Sequence, residues 1–166
     1  MGTVAIVDYG VGNLKSVANA LSYLGCSSCI TADLAELERA DAIILPGVGA
    51  FPDAADRLRS GGLDQHVLAQ GQKKPVLGIC LGMQLLLEQG REVRPCPGLG
   101  VIRGTVDRIP TQSKLPHIGW NSLRFFHHSP LFRGLDEGAY VYFVHSFSAQ
   151  DTDPAQVIAV TDYGPA

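Results

Sequence analysis

Val76-Leu-Gly-Ile-Cys80-Leu-Gly82-Met-Gln84 opens as a short apolar run, turns through Gly-x-Cys-x-Gly and continues with helical character. A strand that feeds a helix through so tight a turn is the unit of a parallel α/β sheet. The two glycines let strand and helix approach closely, so the residue between them is held strained, its side chain presented above the carboxyl edge of the sheet. Cys80 in that place is a nucleophile candidate, and the helix N-terminus behind it favours negative charge. The bland alternative is a buried structural cysteine beside two packing glycines.

Outward from this turn the same alternation repeats. Thr3 to Asp8 and Ala42 to Leu45 are short, almost wholly apolar runs rich in β-branched residues, as strands buried on both faces are. Ser28 to Thr31 reads as a further strand. Between them, Leu14, Val17, Ala18, Leu21 and Leu24 recur at three- and four-residue steps and Gly25 supplies a stop, predicting a helix over Asn13 to Leu24. Leu34 to Ala40, Pro52 to Gln70 and Met83 to Gln89 also read as helices. The expectation is an α/β fold, an open, mostly parallel sheet with helices on both faces. Beyond Arg94 the texture changes to Pro- and Gly-rich sequence with short strand-like pieces, of which Ala139 to His145 and Val157 to Thr161 are the clearest.

The chain has 166 residues, 46% hydrophobic and 17% charged, enough for one core and one domain over 1–166. A formal charge of −3 with scattered Lys and Arg gives no basic stripe, which argues against a nucleic-acid partner. No signal-like or membrane-length apolar segment is present, so a cytoplasmic protein is expected. Cys26, Cys29, Cys80 and Cys96 are too sparse for a disulfide framework. Cys26-Ser-Ser-Cys29 has redox spacing but precedes a strand rather than opening a helix, so both read as small residues at a strand. With no second pair or matching His pair, neither a metal nor any other cofactor is expected. Cys96, between Pro95 and Pro97, reads as a loop thiol.

Two more loops fall at the same sheet edge. Strand Ala42 to Leu45 runs into Pro46-Gly47-Val48-Gly49, where backbone N–H groups can face a developing oxyanion; an ordinary strand-to-helix turn is the alternative. Gly10-Val-Gly12-Asn13 lacks the third glycine of a dinucleotide-binding loop, because that position is Lys15, and is read as a turn or contact surface.

Taken together, Asp8-Tyr-Gly-Val-Gly-Asn13-Leu-Lys-Ser16, Pro46-Gly-Val-Gly49, Gly78-Ile-Cys-Leu-Gly-Met-Gln84, Gly98-Leu-Gly100, Leu115-Pro-His-Ile-Gly-Trp-Asn121 and Tyr142-Phe-Val-His-Ser146 resemble the class I glutamine amidotransferases. The resemblance spans essentially the whole chain, and the first and fifth segments point to the branch serving imidazole glycerol phosphate synthesis. It implies that Cys80 attacks the side-chain amide of glutamine, forming a γ-glutamyl thioester and releasing ammonia. It also implies an oxyanion hole from the Leu81 N–H and the Gly47-Val48-Gly49 loop, and substrate contacts from Gln84, Glu92 and His145-Ser146-Phe147. Asn13, Trp120 and Tyr142 match positions that contact a (β/α)₈-barrel synthase partner, although composition alone favours a core place for Trp120.

Such a cysteine needs an imidazole base and an orienting carboxylate, which in this family come from a His-Pro-Glu segment. None is present here: His66, His117, His127, His128 and His145 all lie in other contexts. The expectation is therefore a shortened domain, its C-terminal part missing, that hydrolyses little glutamine by itself. Alternatives left open are a catalytically silent docking module, a glutaminase serving another class I synthase, and a cysteine stress protein.

Overall fold

The computed structural model describes residues 2–164. Met1, Pro165 and Ala166 lie outside them. Strands β1 (Thr3–Val7), β2 (Ser27–Thr31), β3 (Ala42–Leu45) and β4 (Val76–Gly78) form a parallel sheet in the order β2-β1-β3-β4. Each parallel step requires a crossover. Helix α1 (Leu14–Tyr23) joins β1 to β2, α2 (Leu34–Arg39) joins β2 to β3, and α3 (Phe51–Ser60) with α4 (Leu63–Gly71) joins β3 to β4. Because the chain moves outward from β1 to β2 and then back past β1 to β3, right-handed crossovers put α1 on one face and α2 on the other.

Residues facing α2, α3 and α4 make the core: Ala5, Val7, Ile43 and Leu45 from the sheet, Leu37 from α2, Phe51, Ala55 and Leu58 from α3, and Leu63 and Val67 from α4. The α1 face is more open. No residue of α1 is fully buried, and Ile30 and Leu77 are each over a third exposed. Local signals start α1 and α2 where the sequence predicts. Asn13 Oδ1 accepts from the Ser16 N–H at 3.3 Å, and Asp33 Oδ1 accepts from the N–H groups of Ala35 and Glu36 at 2.8 and 3.0 Å. The single helix expected over Pro52 to Gln70 is two, split at Gly61-Gly62, where Gly62 takes φ +68°.

After β4 a short helix α5 (Leu81–Leu85) leads into β5 (Leu87–Gly90), so the helix expected over Met83 to Gln89 ends early. Strand β5 pairs with β6 (Cys96–Pro97) and with β7 (Ile102–Arg108), and β7 pairs with β11 (Phe147–Gln150), giving a second sheet ordered β11-β7-β5-β6. Burial of Leu87 and Gly90 between α3 and β7 outweighs the local helical pattern. Cys96 is corrected by the same sheet: it is 2% exposed and pairs with Gly90 rather than lying in an open loop. Strands β8 (His117–Ser122) and β10 (Tyr140–His145) form a separate antiparallel ribbon, and β9 (Arg124–Phe125) pairs with β12 (Ala159–Val160). The parallel part of the fold is thus confined to the first half of the chain and the β5/β7 pair.

Candidate active site

Cys80 has φ 54° and ψ −117°, a region that side chains other than hydrogen rarely occupy. Close packing forces it. A Cβ on Gly78 would stand 2.6 Å from the Met83 nitrogen, and one on Gly82 would collide with the Leu45 carbonyl oxygen. The turn therefore presses β4, α5 and the end of β3 together and leaves the Cys80 thiol exposed. Leu81 is the first residue of α5, where helical geometry offers its N–H no partner within the helix.

The Pro46-Gly-Val-Gly loop lies beside this turn. Gly47 is jammed against it, its position for a Cβ being 2.7 Å from the Gly82 nitrogen and 2.9 Å from Leu81 Cβ. Gly49 takes φ +91°, which suits glycine. Tyr9, buried at the end of β1, donates its hydroxyl to the Pro46 carbonyl at 2.6 Å. Burial pushes the Tyr9 phenol far above its usual pKa, so it stays a donor. Gly12 packs on the Pro46 ring instead of opening a phosphate cradle.

A cavity of about 400 Å³ opens in front of Cys80, lined among others by Val48, Gly49, Leu81, Gln84, Glu92 and His145-Ser146-Phe147. Every residue expected from the sequence to bind or process substrate is on this wall except Gly47, which stands behind Val48 as the point of close approach. Gln84 is 8% exposed and donates Nε2–H to the Phe147 carbonyl at 3.1 Å. Glu92 accepts from the Phe51 N–H at 2.8 Å, which places its carboxylate at the N-terminus of α3. The Phe147 carbonyl also lies 2.9 Å from His145 Nδ1, so both its lone pairs are engaged. Any ligand contact from that segment must come from its other groups.

His145 is not free to act as a base here. Its Nδ1 faces the Phe147 carbonyl and its Nε2 lies 3.1 Å from His117 Nδ1. A second hollow, about 360 Å³, adjoins Cys80 between Ile79, Met83 and the β10–β11 segment. A larger hollow, about 500 Å³, lies elsewhere, between Phe125 and Leu135. His127, His128 and Ser129 line it, far along the chain from Cys80 and outside the walls of the Cys80 cavity.

The ribbon puts Trp120 and Tyr142 directly opposite each other, rings edge-to-face at 5.7 Å. Trp120 is 69% exposed, which corrects the core place that composition favours; Ile118, Tyr140 and Val144 are exposed on the same face. Asn13 is exposed and caps α1. Tyr9, His117 and Asn121 are site-shaping residues that sequence reasoning assigned no role, although all three lie in the quoted motifs.

A family model for class-I glutamine amidotransferases matches residues 5–164. The chain belongs to this family. The amidotransferase is 47% identical over 164 residues to imidazole glycerol phosphate synthase subunit HisH of Bacillus cereus, covering 97% of this chain and 77% of that relative. The same subunit of Oceanobacillus iheyensis is 47% identical over 162 residues, covering 97% of this chain and 81% of the relative. Among solved structures, one glutamine amidotransferase superposes with a TM-score of 0.74 at 20% identity, covering 95% of this chain and 79% of that one. PurLQS from Thermotoga maritima gives 0.69 at 20%, covering 97% and 75%. At such identities the structural likeness shows the fold, an α/β amidotransferase fold, while the sequence relatives place this amidotransferase in the HisH branch. Among the described residues, no helix is long and apolar enough to cross a membrane.

Proposed function

We propose that this amidotransferase is the glutaminase half of an imidazole glycerol phosphate synthase. The observation that carries the reading is a cysteine held at φ 54° at the mouth of a cavity walled by Val48, Gly49, Leu81, Gln84 and Glu92. The Cys80 thiolate attacks the side-chain amide carbon of glutamine, and the carbonyl electron pair moves onto oxygen. The Leu81 N–H and a backbone N–H of the Gly47–Gly49 loop stabilise that oxyanion. Collapse breaks the C–N bond, and the nitrogen leaves as ammonia once it has received a proton. Water then adds to the γ-glutamyl thioester, releasing glutamate and restoring the thiol. Gln84, its amide anchored on Phe147, and Glu92 hold the substrate.

Free ammonia in bulk water is protonated and ceases to be a nucleophile, so the product has to pass directly to a second active site. The exposed Ile118, Trp120, Tyr140, Tyr142 and Val144 face suits docking on a (β/α)₈-barrel synthase, because a contiguous aromatic and apolar patch on a folded surface marks an interface. Among the described residues, His145 and His117 have both ring nitrogens engaged, so neither is poised to carry the proton that the leaving nitrogen receives. The same observation favours a second reading, a docking module without chemistry of its own.

The complete reading frame containing these residues, co-expressed with its synthase partner, separates the two. Glutaminase function predicts glutamate release by wild type and a fall of at least about 10⁴-fold for Cys80→Ala. Release that persists in Cys80→Ala, or no release by the wild-type complex, rejects the cysteine mechanism and leaves the docking module.

A further inference from the structure

His117 is 3% exposed and stacked between Phe143, ring centroids 4.7 Å apart, and Tyr163, 3.9 Å apart. No step above uses it. The β8–β10 register sets it directly across from His145, which brings the two rings within hydrogen-bond distance. The partners around them fix where the protons are. The Phe147 carbonyl only accepts, so His145 carries a proton on Nδ1 and, as a neutral ring, presents a bare Nε2. The facing Nδ1 of His117 must then be protonated, leaving its Nε2 bare. Asn121 Nδ2 stands 3.4 Å from that nitrogen, and its amide is oriented by a second donation, to the Asp162 carbonyl at 2.8 Å.

Every donor in this chain meets an acceptor: Asn121 to His117, His117 to His145, and His145 to the Phe147 carbonyl. The carbonyl's other lone pair takes Nε2–H of Gln84. One added proton would set two donors against each other, at the His117–His145 contact or at Asn121. Burial, and then the nearness of His145, hold the His117 pKa below its usual value, in agreement with a neutral ring.

We propose that His117 is a positioning residue for the substrate wall: by donating from Nδ1 it holds His145 as the Nδ1–H tautomer, and so fixes the Phe147 carbonyl that orients Gln84. An unconstrained neutral histidine prefers its proton on Nε2. Without His117 only the Phe147 carbonyl still favours the Nδ1–H tautomer: the His145 Nε2 loses its donor, the Nε2–H form gains population, and Gln84 is left with a less firmly held partner for its amide. The consequence for glutamine rests on the glutaminase reading above; the tautomer does not.

The test uses the complete protein with its synthase partner. His117→Phe keeps a ring between Phe143 and Tyr163 but removes both nitrogens. It should raise KM for glutamine about tenfold, the equivalent of one lost hydrogen bond, with kcat within about threefold and alkylation of Cys80 by iodoacetamide unchanged. His117→Asn, which keeps a donor near the Nδ1 position, should recover most of the affinity. Independently of activity, ¹⁵N-histidine NMR at neutral pH should show His145 as Nδ1–H in wild type and with a raised share of Nε2–H in His117→Phe. An unchanged KM in a folded His117→Phe, or a wild-type His145 that is charged or Nε2–H, overturns the proposal. If wild type releases no glutamate, the glutaminase reading fails while the NMR result still judges the tautomer; if His117→Phe does not fold, the wild-type spectrum decides.

Discussion

The Tyr9 hydroxyl spans 37 positions of sequence to reach the Pro46 carbonyl, and it is 7% exposed where it does so. Its removal therefore strands a buried acceptor, a defect that costs about 1–3 kcal/mol. Tyr9→Phe should lower the urea midpoint accordingly and, because Pro46 leads into Gly47-Val48-Gly49, slow glutamate release by roughly tenfold if that loop holds the oxyanion. The two effects can be read separately: denaturation gives the first, and kcat beside an unchanged Cys80 alkylation rate gives the second. A kcat equal to wild type would detach the loop from catalysis. At this scale, the sequence was informative where one short motif contains its own geometry. Gly78-Ile-Cys80-Leu-Gly82 specifies a strained turn because neither glycine has room for a side chain: Gly78 meets the backbone of Gly82 and Met83, and Gly82 meets the end of β3. Nothing in Asp8-Tyr9-Gly10 says where a phenol points, and the prolines flanking Cys96 suggested an open loop although the thiol is buried in a strand.

Among the elements, the β8–β10 ribbon has the clearest division of labour. Period-two alternation sends Ile118 and Trp120 outward with Tyr142 and Val144, and sends His117 and His145 to the opposite face. Trp120→Ala and Tyr142→Ala remove exposed rings whose edge-to-face pair is the contact each loses, so the folded protein should stay within about 1.5 kcal/mol of wild type. If the ribbon docks the synthase, each should weaken the complex tenfold or more in isothermal titration, as buried aromatic anchors do. Affinities equal to wild type would move the interface elsewhere. Strands and helices of the first half were legible because apolar runs, caps and glycines agree with one another there. Met83 to Gln89 was not, since Met83, Leu86 and Leu87 satisfy helical spacing while the pairing of Leu87 with Ile102 belongs to residues far along the chain. The break at Gly61-Gly62 was visible in the letters but outweighed by the apolar period on either side.

In the whole molecule, the cavity before Cys80 is a joint between layers: the parallel sheet supplies the nucleophile and the Pro46–Gly49 loop, the stretch beyond β5 supplies Glu92, and the β10–β11 segment closes the far wall with His145 and Phe147. Resemblance to a family brought those names together, but only the packed sheets show that Phe147 serves Gln84, a contact 63 positions apart. The buried His117 ties this joint to the stability of the fold. Its pKa is lowered in the folded protein because burial disfavours the charged ring; of the groups facing it, His145 from β10 opposes a second positive charge, and Phe143 and Tyr163 flank it. In the unfolded chain the ring titrates near about 6.5, so below that pH the unfolded state binds the extra proton. The stability contributed by the neutral ring is thus complete above about pH 6.5 and declines as the pH falls, by at most about 1.4 kcal/mol per pH unit for a single group. Urea unfolding of wild type and His117→Phe between pH 7.5 and pH 5 isolates this contribution. The difference in unfolding free energy between the two proteins should be constant at the alkaline end and shift against wild type on acidification; parallel curves across the whole range would mean that the ring is protonated as easily in the fold as outside it.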